Sequence, residues 1–107
     1  MLTLCLRYIL DPNKIPDFRA YAEAEQEPIR RSGGNSAQYF LPTDFAGPTN
    51  EALGLIDFAS LTSYEQYRRT LAEDPDSMKN IAELVRSGVV VSVTRSFIRR
   101  LGEAPGR

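Results

Sequence analysis

The sequence predicts an α+β fold of the ferredoxin-like kind: βαββαβ order, a four-stranded antiparallel sheet, and helices on one face. Three observations predict it. Leu2 to Leu10 alternate with period two, as a strand does. Apolar residues at helical spacing follow in two separate regions of the chain. The β-branched run VVVSVTRSFIRRL (Val89 to Leu101) then supplies a last strand.

In the first strand, Leu2, Leu4, Leu6, Tyr8 and Leu10 share one side, and Thr3, Cys5, Arg7 and Ile9 the other. Asp11-Pro12-Asn13 ends it, because proline donates no ladder hydrogen bond and Asp and Asn favour turns. A helix is expected from about Lys14 to Arg31, capped by Asn13, with Ile15, Phe18, Ala22 and Ile29 near one stripe. Pro28 predicts a kink or a weakened last turn, and Gly33-Gly34 a stop. NSAQYFLP (Asn35 to Pro42) and EALGLIDF (Glu51 to Phe58) read as a hairpin joined by the long loop TDFAGPTN.

Ser60, or Thr62 with Glu65 in a capping box, starts the next helix. Asp74-Pro75 splits the helical region in two, since the residue before proline avoids the helical conformation. Asp74 then caps the second piece with Pro75 at its first position. Gly88 closes that piece. The chain divides into an ordered domain over residues 1–101 and a C-terminal tail over 102–107.

Composition narrows the function classes. The 107 residues are 42% hydrophobic and 25% charged, with a net charge of −1, which argues against a nucleic-acid partner. There is no histidine, hence neither the commonest general base nor the commonest zinc ligand. Cys5 is the single cysteine, so no internal disulfide or multi-cysteine metal motif is expected, and no cofactor is implied. No apolar run approaches the roughly 20 residues of a membrane helix, so no membrane insertion is expected. Arg7 interrupts the opening apolar run and no small-residue cleavage site follows it. The expectation is a cytoplasmic protein.

The strands carry apolar residues on both sides: Leu53 and Leu55 oppose Ile56 and Phe58, Phe40 opposes Tyr39 and Leu41, and Val90 and Ile98 oppose Val89, Val91, Val93 and Phe97. Helices cover only one face of such a sheet. A second copy packed sheet against sheet would cover the other, giving a homodimer.

Two blocks carry a family resemblance. The first is LRYILDPNKIPDFRAYAEAEQEPIRRSGG, with its arginine–tyrosine strand, proline-then-lysine turn, Phe18 and late Pro28-Ile29. The second is IDFASLTSYEQYRRTLAEDPD, with its serine cap, tyrosine- and arginine-rich helix and Asp-Pro break. Together they resemble the NIPSNAP family of the dimeric α/β-barrel superfamily. Asn13 departs from the glycine common in the family's first turn; asparagine also tolerates the left-handed region. The resemblance implies a two-fold dimer whose sheets form a barrel, and no particular reaction. Related barrel families include cofactor-free oxygenases of aromatic compounds, haem-binding enzymes and stress-responsive proteins, so fold analogy does not choose among them.

The candidate ligand-binding residues are Arg7, Tyr8, Phe18, Tyr39 and Phe58. The aromatic four are placed to line a space between helices and sheet, or simply to fill the core. Arg7 offers a donor fork for a carboxylate or phenolate, or an ion pair with Asp57. Tyr64, Tyr67, Arg68 and Arg69 read as a solvated helix face, with Tyr64 and Arg68 on one side and Tyr67 and Arg69 turned away. Three functions stay open: a barrel binding a small apolar or aromatic molecule; a cofactor-free oxygenase or isomerase using Tyr8, Tyr39 or Asp57; and a protein-interaction module.

Overall fold

The computed structural model describes residues 1–102; all of the predicted tail except residue 102 lies outside the described residues. The elements are β1 (Leu2–Leu10), α1 (Ile15–Arg31), β2 (Asn35–Phe40), β3 (Glu51–Phe58), α2 (Leu61–Glu73), α3 (Pro75–Ser87) and β4 (Val90–Ile98). All strand pairs are antiparallel, in the order β2-β3-β1-β4. This is the ferredoxin-like order. The molecule is only 18 Å across in its thinnest direction, the depth of one helix layer on one sheet.

Local chemistry sets the boundaries. Ser60 is the N-cap of α2, its hydroxyl accepting from the Ser63 amide, so the Thr62–Glu65 capping box does not form. Asp74 accepts from the amides of Asp76 and Ser77 and caps α3, with Pro75 following it. Gly88 ends α3 in the left-handed region at φ 70°. Asn13 does not cap α1. The N-cap is Lys14, without a side-chain bond, and the backbone amide of Asn13 donates to the Asp11 carboxylate at 2.9 Å, as in an Asx turn. α1 passes through Pro28 to the expected end. It runs to Arg31, and the amides of Ser32 and Gly34 bond the carbonyls of Pro28 and Ile29.

The core lies between the helices and the face of β1 that carries Leu4, Leu6, Tyr8 and Leu10, joined by Ile56 and Phe58 of β3 and Phe18 and Ile29 of α1. Register fixes which side chains share that face: Leu4 is opposite Ile56 and Phe97, and Tyr8 opposite Ala52 and Val93. A bulge between Ile9 and Leu10 shifts the pairing, so that Leu10 meets Val90 and Ile9 meets Ser92. Val90 therefore packs against the core instead of facing away from it, and Val91 is left exposed.

Among the described residues no helix covers the opposite face. Its apolar residues are Cys5, Ile9, Phe40, Leu53, Leu55 and Ile98, of which Phe40 and Ile98 are 48% and 46% exposed. Arg7, Gln38, Asp57 and Thr94 interrupt them.

Candidate functional site

Strand alternation divides the five candidate residues. Arg7 projects from the bare face and is exposed, between Leu53 and Thr94 on the neighbouring strands. It forms no ion pair with Asp57. Register places Thr3 opposite Asp57, and the Thr3 hydroxyl donates to that carboxylate at 2.6 Å. Arg7 stands four residues further along, roughly 13 Å away at strand rise. Arg7 and the aromatic residues are thus on opposite sides of the sheet.

Tyr8, Phe18 and Tyr39 do come together. The Tyr8 and Phe18 ring centroids are 4.7 Å apart, and Tyr39 lies 6.5 Å from Tyr8 and 6.2 Å from Phe18. Gly54 makes this arrangement fit. It pairs directly with Tyr39, and a Cβ there would stand 2.8 Å from the tyrosine ring. Phe58 belongs to a second cluster at the other end of β3, with Tyr67 at 4.8 Å and Tyr64 at 5.3 Å. Tyr67 is therefore core rather than solvated surface: α2 turns Tyr64, Tyr67 and Leu71 inward, at i, i+3 and i+7 spacing. The Tyr64 hydroxyl accepts from Arg68 at 3.0 Å.

Tyr21 of α1 completes the first cluster, 5.9 Å from Phe18 and 6.5 Å from Tyr39. Beside it opens a cavity of about 330 Å³ between α3 and the sheet, lined by Tyr8, Tyr21, Ile81, Leu84, Val85, Gly88, Val90 and Val93. That volume lies within the range of small-molecule sites. Of the five candidates only Tyr8 lines it. Phe18 and Tyr39 stand behind it, and its other walls are aliphatic.

Burial pushes the Tyr8 phenol up to about 12, despite a hydrogen bond from Tyr39 that lowers it. Burial likewise raises Tyr21, Tyr39 and Tyr67. All four are neutral at physiological pH. Tyr8 and Tyr21 therefore offer hydroxyls that donate or accept, on an otherwise apolar wall.

Glu25 is the carboxylate that spacing alone hides. It is 1% exposed, on the α1 stripe that also carries Phe18, Ala22 and Ile29. The Ser77 hydroxyl donates to it at 2.7 Å and the Asn80 amide at 3.1 Å. Desolvation raises its pKa; the bonds from Ser77 and Asn80 oppose the rise. The i, i+4, i+7, i+11 series from Phe18 passes through residue 25, so the signal was present in the spacing. Among the described residues there is no cluster of three or more metal-ligating side chains, and no helix long and apolar enough to cross a membrane.

A ferredoxin-like α+β fold with helices on one face of a four-stranded antiparallel sheet defines the class of this protein. The NIPSNAP family model matches residues 5–105, and the chain belongs to that family. Solved structures agree in fold. A NIPSNAP family protein with unknown function from Agrobacterium tumefaciens superposes with a TM-score of 0.78 at 23% identity, over 98% of this chain and 92% of that one. An uncharacterized NIPSNAP-like domain protein from Burkholderia xenovorans gives 0.76 at 23%, over 97% and 88%. SnoaB, a cofactor-independent oxygenase from Streptomyces nogalater, gives 0.67 at 13%, over 97% and 96%. No curated protein matches the chain.

Proposed function

We propose that this protein is a homodimeric barrel that binds a small apolar or aromatic molecule between α3 and the sheet. The observation that carries this is the cavity of about 330 Å³, whose walls are aliphatic apart from the Tyr8 and Tyr21 phenols. Apolar walls supply affinity by excluding water, and a few fixed hydroxyls supply orientation. Phe18 and Tyr39 support the Tyr8 ring from behind. Arg7 and Phe58 stand outside this site: Arg7 belongs to the surface offered to the second copy, and Phe58 to the core under α2. The bare sheet face favours the dimer, because Leu53, Leu55 and Phe40 would otherwise meet water. A cytoplasmic location fits the single buried thiol of Cys5.

The test is native mass spectrometry of gently purified protein with Nile red as an added apolar probe. A dimer is expected, taking up the dye at one site per chain, with uptake weakened severalfold by Val93→Asp at the cavity wall. A dye-insensitive protein, or equal uptake by the variant, would remove the cavity from consideration.

Glu25 gives a second, enzymatic reading some support. A buried carboxyl behind phenols that open on a cavity is an arrangement suited to proton transfer. The likeness to SnoaB adds only the fold. Turnover of an enolisable aromatic ketone, lost in Tyr8→Phe, would favour this reading over simple binding.

A further inference from the structure

α3 is attached to the rest of the molecule in an unusual way. Its polar side faces α1 and makes three ties. At its start, Arg31 donates to Asp74 and Asp76 at 2.8 to 3.1 Å. In its middle, Ser77 and Asn80 donate to Glu25. At its end, the Lys14 ammonium donates to the Ser87 carbonyl at 2.9 Å. Beside these ties a cleft of about 100 Å³, lined by Ala20, Tyr21, Ala24, Asn80 and Leu84 among others, runs along the seam between the two helices. The apolar residues Met78, Ile81 and Val85 point away from α1 and remain exposed, Val85 at 74%. Two of them line the ligand cavity.

α3 thus has this cleft on one flank and the cavity on the other. Its ends are non-helical: Asp74 is extended at φ −73° and ψ 119°, and Gly88 is left-handed. A helix held by polar ties and by Leu84 packed on the core, with Met78, Ile81 and Val85 left exposed, belongs to the less stable part of a fold.

We propose that α3 is the gate of this cavity and that Glu25 is its latch. The proposal rests on the ligand reading given above. While Glu25 is protonated, its hydroxyl can donate to Ser77 and its carbonyl can accept from Asn80, so the latch is satisfied without water. Once ionised, the carboxylate keeps both donors but sits in a dry place, and desolvation outweighs them. The groups facing it are Tyr21 and Arg31 of α1, Tyr8 of β1, Tyr67 of α2 and Asp74 of α3. Arg31 is the one cation among them, and it is committed to Asp74 and Asp76. Movement of α3 away from α1 would hydrate the carboxylate and widen the cavity mouth. Rising pH therefore loosens the gate.

The experiment uses the full chain and two readouts across a series of increasing pH that starts below the ordinary carboxylate value of 4.5. One is the association rate of Nile red; the other is amide hydrogen exchange in residues 75–87, corrected for intrinsic exchange and compared with α1. The expected result is that both rise severalfold with pH in the wild type. In Glu25→Gln, whose amide can keep both bonds, neither should change with pH. Ser77→Ala should show fast entry at every pH. Normal dye binding with pH-independent exchange in 75–87, the same in wild type and Glu25→Gln, would overturn the gate and leave the ligand reading standing. A pH response in 75–87 without any dye uptake would overturn the ligand reading and, with it, the gate's role.

Discussion

A carboxylate with 1% of its surface exposed costs folding energy when charged, and Glu25 receives two neutral donors in place of its lost water. Its folded pKa lies above the ordinary 4.5 because burial disfavours the charge. The sign follows by linkage. A raised folded pKa means that the stability contributed by Glu25 is complete below about 4.5 and is lost as pH rises through the folded value. Glu25→Gln should therefore match the wild type in urea midpoint at low pH and equal or exceed it at pH above the folded value. A variant less stable than wild type at alkaline pH would mean that the charge is paired better than its neighbours indicate. Tyr8 and Tyr21 stay protonated across the same range, so they add no slope there.

At the scale of elements, Asp74 serves two helices at once. Its carboxylate caps α3 through the amides of Asp76 and Ser77, and it receives Arg31 from the end of α1. These duties are separable by substitution. Asp74→Asn should keep the cap, since asparagine is as good an N-cap as aspartate, and lose only the ion pair. Asp74→Ala loses both and should melt at a clearly lower temperature than Asp74→Asn. Equal melting temperatures would assign the whole effect to the ion pair. Ser60→Ala removes only the cap of α2 and should cost about 1 kcal/mol, read as a shift in the urea midpoint.

For the whole molecule, the two-layer depth leaves one sheet face uncovered, on which Cys5, Leu53 and Leu55 lie beside Arg7. Leu55 sits near its middle, opposite Cys5 and Gln38 on the adjacent strands. Leu55→Asp should give a monomer of unchanged secondary structure by sedimentation and circular dichroism, because the substitution touches no helix contact. A wild-type monomer at micromolar concentration would refute the dimer outright.

Strand and helix positions, the Asp74-Pro75 break and the ferredoxin-like order were legible in the sequence, because each rests on local rules: period, capping and proline sterics. The two-block resemblance likewise pointed to the right family. Side-chain fates that depend on register or on helix placement were not legible. Arg7 and Asp57 could be paired only by guessing a register, and the true one offsets them by four residues. Tyr67 looked solvated until α2 was laid across Phe58. Val90 changed faces through a bulge that no composition signals. Glu25 stood in an apolar stripe, yet its burial required Ser77 and Asn80 to arrive from more than fifty residues away. The chain by itself determined its elements, their order and its family. Tertiary structure decided which residues share a cavity, because a pocket is made of residues distant in sequence whose meeting depends on packing rather than on local preference.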